Sequence, residues 1–309
     1  MSFADMDVSE IWLDGEFVPW DEAQVHVLTH ALHYGTGVFE GVRCYETADG
    51  PAIFRWEEHL DRLYLSAKPY GIEIPFSRDE LTEATVELIR REGHPSCYIR
   101  PIAFVGYDRL GLNPSEIPIR TAVACWPWGS YLGEEAIENG VDVAVSSWRK
   151  YGSDQIPTNA KTTGAYVNSV LASLEARENG YVEALVLNEE GEVAEGPGEN
   201  LFLVRDGDIY TPGLAEGILD GITRRSVIKI ARDLGYTVHD QATISRGELY
   251  TADELFFTGT AAEVTPIRSI DDVDIGEGTK GPVTDEIQSQ FFAIVEGQVD
   301  QYDDWFTWI

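Results

Sequence analysis

The sequence predicts an α+β chain of two domains, and three observations point there. Its 309 residues exceed one ordinary domain of ~150 residues. Segments with strand and helix periodicity mix without a regular βαβ alternation, which disfavours a doubly wound sheet. The pattern changes at 129–140, where GSYLGEEAIENG is rich in Gly and Glu and has no strong period. That stretch is expected to be an interdomain loop, with a small N-terminal domain over 1–128 and a larger one over 141–309.

Taken in order, EIWLDGEFVPW (10–20) reads as two short strands about an Asp-Gly turn. Residues 57–70 place Leu60, Leu63 and Tyr64 on one helical face with charges opposite. Ser77 and Glu80 form a capping box that opens a helix to Arg91, stopped by Gly93. CYIRPIAFVG (97–106) and IRTAVACWPW (119–128) read as buried strands. The second half opens with VDVAVSSW, alternating as a strand does. After Gly164, Val167, Val170, Leu171 and Leu174 recur at helical spacing. EALVLN and NLFLVRDGDIYTP are strands, the latter folded at Asp206-Gly207. A helix runs from Thr223 to Leu234 and ends at Gly235; the strand ELFFTG follows, and a last helix covers about 284–296.

Composition narrows the function. Fifty-four acidic against 22 basic residues give a net charge of −32, yet 43% of residues are hydrophobic, enough to build a core. A surface this negative repels nucleic-acid phosphates and anionic headgroups, so neither is an expected partner. Only five of the basic residues are Lys. Acid-rich and Lys-poor, the chain has the composition of a halophilic protein kept soluble in concentrated salt, where the Debye length falls to ~3 Å at 1 M. Cys44, Cys97 and Cys125 form no C-x-x-C, which suits free thiols in a reducing cytoplasm rather than disulfides or zinc. The N-terminus carries no signal-peptide pattern and no apolar run approaches ~18 residues, so a soluble cytoplasmic protein is expected.

Two motifs mislead. His26, His30 and His33 have the spacing of ligands on one helix face, but no acidic or Cys ligand accompanies them, and no metal is expected. EGPGEN (195–200) contains a G-x-G without the third Gly or the strand–turn–helix context of a dinucleotide site.

Lys161 stands out among small neighbours in IPTNAKTTGAY, which let a flat ligand approach the backbone. Gly221-Ile222-Thr223 opens a helix, whose first N–H groups and dipole make an anion site, with Thr223 at or beside the cap. Thr258-Gly259-Thr260-Ala261-Ala262 is a second small-residue turn able to present backbone donors. Arg62 lies on the helix of 57–70. A lysine, phosphate donors and a carboxylate together suggest pyridoxal phosphate. The carboxylate keeps the ring nitrogen protonated as an electron sink, and the lysine must lose its proton to attack a carbonyl.

HALHYGTGVFEGVRCY (30–45), YIRP (98–101), IPTNAK (156–161), EGPGENLF (195–202), GITR (221–224) and TGTAAEVTP (258–266) resemble the fold-type IV pyridoxal-phosphate aminotransferases. The resemblance is nearest to bacterial branched-chain amino acid aminotransferases and runs from about Ile11 to Glu296. It implies a D-amino acid aminotransferase-like fold, with a small N-terminal α+β domain, a larger C-terminal pseudo-barrel, the cofactor between them and 129–140 over the substrate. It implies that Lys161 forms the Schiff base and moves the proton, that Glu195 pairs with the ring nitrogen and that Tyr166 donates to the phenolic oxygen. Arg62, Ile222, Thr223, Gly259 and Thr260 would hold the phosphate end. The amides of Thr260 and Ala261, with the Tyr98 hydroxyl, would receive the substrate α-carboxylate. Tyr34, Phe39, Leu112, Trp128 and Tyr131 would line the side-chain pocket, with Gly41 leaving room. Arg100 would meet the distal carboxylate of glutamate, helped by Tyr34 and Tyr131.

The implied reaction is ping-pong transfer of the amino group from L-leucine, L-isoleucine or L-valine to 2-oxoglutarate, by a homo-oligomer built from dimers and extending to hexamers. A D-amino-acid aminotransferase and aminodeoxychorismate lyase of the same fold are the alternatives. The chain departs from the family at Thr163-Gly164-Ala165-Tyr166, where many members have Gly-Gly-Asn-Tyr, and at Leu219-Asp220 in place of Leu-Pro.

Overall fold

The computed structural model describes residues 6–129 and 132–309, with only the backbone for Glu134. Two compact units make up the chain. The first is Met1–Trp128 with Ala160–Ala165 and Val295–Ile309; the second is Gly129–Asn159 with Tyr166–Ile294. This corrects the expected division. The Lys161 segment belongs to the first unit, and 129–140 belongs to the second rather than forming a separate linker.

In the first unit, β1 (Glu10–Leu13) and β2 (Glu16–Pro19) form the expected hairpin. Asp14 and Gly15 turn it with φ of 50° and 98°, left-handed values that suit a two-residue loop. After α1 (His30–Tyr34) come β3 (Gly37–Phe39), β4 (Val42–Thr47) and β5 (Gly50–Phe54). Two helices follow, α2 (Trp56–Ala67) and α3 (Arg78–Glu92). In α3 the capping box is formed, with Ser77 N donating to Glu80 Oε2 at 2.7 Å and Glu80 N to Ser77 Oγ at 3.3 Å. Then come β6 (Cys97–Val105) and β7 (Ile119–Trp126). The sheet runs from the C-terminal strand Phe306–Trp308 through β5, β4, β6, β7 and β1 to β2. β6 changes partner along its length. It pairs with β4 at Val42↔Ile99 and with β3 at Phe39↔Ile102, so Glu40 and Gly41 are the link between two strands on one neighbour.

The core of this unit packs Leu60 and Leu63 of α2 and Leu81, Leu88 and Ile89 of α3 against Val42, Ile53, Ile99 and Val123. The three thiols, distant in sequence, meet here. Cys44 is the register partner of Cys97, and Cys125 lies opposite Ile99 on β7. All three are free and buried.

The second unit begins with α4 (Glu134–Asn139), which buries Ala136 in the unit's core. β8 (Val141–Arg149), α5 (Tyr166–Glu178) and β9 (Glu183–Leu187) form a parallel crossover. β10 (Val193–Glu195), β11 (Asn200–Arg205) and β12 (Asp208–Pro212) follow, the last two joined by the expected turn at Asp206-Gly207. The remaining elements are α6 (Ile222–Asp233), β13 (Val238–Ala242), α7 (Arg246–Leu249), β14 (Glu254–Gly259), β15 (Glu263–Ile270), β16 (Val273–Asp274) and α8 (Pro282–Val295). The sheet order is β10-β9-β8-β15-β14-β11-β12-β13.

One apolar stripe faces the other way from a core stripe. In α5, Val167, Val170 and Leu174 are 62%, 54% and 52% exposed. The helix instead buries Ala172 and Ala176 against Ala184, Val186 and Ala194. Small side chains let it lie close to β9, which leaves the larger ones outward.

Candidate active site

In the first unit the site is built on backbone hydrogen bonds to β3. Phe39 N donates to Lys161 O at 3.1 Å, Thr163 N donates to Gly37 O at 2.9 Å, and Val38 bridges Thr162. From the other side, Lys161 N donates to Ser66 Oγ on α2 at 2.9 Å. The segment is thus held between a strand and a helix. The Lys161 ammonium nitrogen lies 5.1 Å from the centre of the Phe39 ring, and the Arg100 guanidinium carbon lies 4.8 Å from the same ring. Arg100 Nη2 donates to Tyr98 Oη at 2.9 Å, and the Trp128 ring packs 4.6 Å from that of Tyr98.

Electrostatics follow from this crowding. Burial pushes the Lys161 amine down to about 8, with Arg62 and Arg100 lowering it further while Glu40 and Tyr98 pull the other way. Arg62, one turn before Ser66 on α2, is gripped by Glu40. Its Nε donates to Oε1 at 2.7 Å and its Nη2 to Oε2 at 2.9 Å. His59 Nδ1 lies 2.8 Å from the same Oε2. Burial works to raise the Glu40 carboxyl, but the Arg62 charge and the hydrogen bonds from Arg62 and His59 hold it well below the usual carboxylate range. Burial depresses His59, so it is neutral and its Nδ1–H is the donor.

The second unit gathers a different set. Glu195 ends β10 with its carboxylate buried; Oε1 accepts from Lys150, and Oε2 accepts from Asn200 Nδ2 at 3.0 Å and Leu219 N at 2.9 Å. Burial works to lower the Lys150 ammonium, but the Glu195 charge and hydrogen bond, together with the neighbouring Tyr151 and Tyr166 (the first residue of α5), hold it above the ordinary lysine range. Asn200 is register partner to Thr258, and a side chain at Gly221 would overlap Asn200 Oδ1, so Gly221 lets the start of α6 approach. Gly221, not Thr223, is the N-cap, and the first intrahelical bond is Arg225 N to Gly221 O. The N–H groups of Ile222, Thr223 and Arg224 precede that bond, at the positive end of the helix. Gly259, Thr260 and Ala261 form the end of β14 and the turn beyond it, and Thr258 Oγ1 is buried with no hydrogen-bond partner among the described residues.

The class IV amino-transferase family model matches residues 37–270. The chain belongs to the class IV amino-transferase family. The branched-chain-amino-acid aminotransferase of Pseudomonas aeruginosa is 48% identical over 307 residues, 99% of each chain. The crystal structure of the Escherichia coli branched-chain amino acid aminotransferase superposes with a TM-score of 0.95 at 48% identity, covering 97% of this chain and 98% of that one. The branched-chain amino acid aminotransferase of Thermobaculum terrenum, solved in its PLP-form, does so at 0.91 and 36% identity, covering 97% and 98%.

Within this family member, not every expected residue falls where expected. Leu112 is 87% exposed and Tyr34 41% exposed, whereas Phe39 is buried. Tyr131 lies outside the described residues. The space beside Gly41 is taken by Tyr98. A methyl group there would overlap Tyr98 Oη and sit 2.9 Å from Cζ, so Gly41 makes room for a tyrosine. The three histidines part company: His30 is buried between Thr36 Oγ1 and Gly111 O, at 2.7 Å from each, while His33 reaches Val27 O and His26 accepts from Leu28 N.

Four residues carry more than their sequence setting suggests: Glu40, His59, Lys150 and Asn200. A lone carboxylate in the apolar run Val38-Phe39-Glu40-Gly41-Val42 is a signal for Glu40, since buried charges need partners. His59 and Arg62, three apart beside Leu60 and Leu63, supply them. Lys150, after a strand and before Tyr151-Gly152, has no such signal.

Gly41→Ala is expected to displace the Tyr98 ring and lower stability by about 1–3 kcal/mol, as overpacking does. A thermal melt superimposable on wild type would show that the Tyr98 hydroxyl does not pack there.

Proposed function

We propose that the chain is a branched-chain-amino-acid aminotransferase that uses pyridoxal 5′-phosphate, moving the amino group of L-leucine, L-isoleucine or L-valine to 2-oxoglutarate. The observation that carries this is the Lys161 amine, brought down to about 8 beside the Phe39 ring and Arg100. An apolar ring and a guanidinium at one lysine suit a donor with an aliphatic side chain and an acceptor with a distal carboxylate.

The residues present fit the cofactor. Arg100 Nε and Thr258 Oγ1 are buried donors with no partner among the described residues, and the α6 start offers backbone N–H groups. Arg62, Ile222, Thr223, Gly259 and Thr260 would hold the phosphate, Tyr166 the phenolic oxygen and Glu195 the ring nitrogen. When bound, the cofactor supplies a carbonyl for amines and a ring that accepts electrons. Lys161 Nζ takes and returns the substrate proton, a transfer worth ~10²–10⁴-fold, and an amine titrating near pH 8 has both forms at hand. Phe39 and Trp128 offer apolar surface to the donor side chain, and Arg100 meets the carboxylate of 2-oxoglutarate.

A homo-oligomer with the dimer as its unit is part of this proposal. Its support is the exposure of Tyr34, Leu112, Val27 and Leu32 in one unit and of the α5 stripe in the other, surfaces that a second copy would cover. Free buried thiols support a reducing cytoplasm, and no helix of the described residues is long and apolar enough to cross a membrane.

Purified protein given cofactor, L-leucine and 2-oxoglutarate is expected to release L-glutamate, and Lys161→Ala to release none. Absence of glutamate from wild type, in both dilute buffer and molar KCl, would overturn the assignment. The net charge of −32 further predicts a higher urea midpoint in molar KCl than in dilute buffer, because salt screens carboxylate repulsion. Equal midpoints would contradict adaptation to salt.

A further inference from the structure

Glu40 is the most enclosed charged group of the first unit's cluster, and no step assigned above uses it. Its carboxylate is wholly buried on the link between β3 and β4, with its own N–H bonded to Pro101 O at 2.9 Å. Both carboxylate oxygens are spent on α2, one on Arg62 Nε and the other shared by Arg62 Nη2 and His59 Nδ1. Such a two-pronged contact fixes the plane of a guanidinium as well as its distance. The same helix face carries Ser66, which accepts the Lys161 N–H. Glu40, His59, Arg62, Ser66 and Lys161 therefore form one connected set.

We propose that Glu40 is a positioning residue: its buried carboxylate clamps the Nε–Nη2 edge of Arg62, with His59 steadying the carboxylate, and so sets both where the guanidinium points and how much of its charge reaches Lys161. The proposal rests on the reading of Arg62 and Lys161 as site residues. The charged and titratable groups acting on Lys161 are Arg62 and His59 from α2, Glu40 from the β3–β4 link, and Tyr98 and Arg100 from β6. Burial first, and then two arginines set against Glu40 and Tyr98, leave the amine easy to deprotonate. Without Glu40 only Tyr98 still opposes the two arginines, and the amine gives up its proton more readily still.

The test is the pH dependence of Lys161 acetylation by acetic anhydride, quantified on the Lys161 peptide by mass spectrometry, in the full-length chain freed of cofactor. Glu40→Gln keeps the shape and removes the charge. Its Lys161 midpoint is expected about one unit below wild type, a tenfold loss of proton affinity. Glu40→Gln with Arg62→Gln removes both charges, and its midpoint is expected to return to wild type or rise above it. A purely structural role would move both variants alike or neither. A single-variant midpoint at or above wild type overturns the proposal. Should Glu40→Gln strand Arg62 and fail to fold, the double variant is compared with Arg62→Gln alone. Expected is a lower midpoint in the double variant, and equality overturns the proposal. No substrate or cofactor enters this measurement, so its failure leaves the aminotransferase reading standing, and a chain that makes no glutamate can still show the shift.

Discussion

One short graft of backbone sets the surroundings of Lys161. Residues 160–165, more than a hundred positions beyond β3, bond to that strand through Phe39 N, Thr163 N and the Val38–Thr162 bridge, and to α2 through Ser66. The anchors are main-chain atoms or the buried Ser66 hydroxyl. The graft determines which charges the amine meets. It lands beside Arg62 and Arg100 and against the Phe39 ring, and that company with burial brings a lysine from its ordinary range to about 8.

This local positive field stands against a global charge of −32. The two coexist because charge acts over short range at a buried site and is screened over long range at the surface. Buried Glu40 and buried Glu195 are each paired with a specific cation of their own unit, Arg62 and Lys150. A buried ion pair of this kind is weak evidence for stability, but it fixes direction, since either partner alone would be a stranded charge. Lys150, one of only five lysines, is committed to Glu195.

Much of this was legible in the sequence, and what was not has a physical reason. Hairpins at Asp14-Gly15 and Asp206-Gly207, the Ser77 capping box and the strand ELFFTG are encoded by residues within reach of each other. The six motifs pointed to the family whose model matches residues 37–270. Contacts between distant segments left weaker traces. The Lys161 segment follows the 129–140 boundary in sequence yet belongs to the first unit, because its hydrogen bonds are to β3. A stripe at helical spacing says that α5 is a helix but not which side is covered, and here alanines face the sheet. Gly41 reads equally well as room for a ligand or for a neighbouring side chain; the neighbour, Tyr98, is 57 residues away.

Docking onto β3 and α2 is expected to bring the Lys161 amine down to about 8. The most direct measurement is the pH at which Lys161 of the wild-type chain, freed of cofactor, becomes half reactive toward an amine-specific acylating reagent. A midpoint at about 8 is expected. A midpoint near the ordinary lysine value of ~10.4 would contradict it.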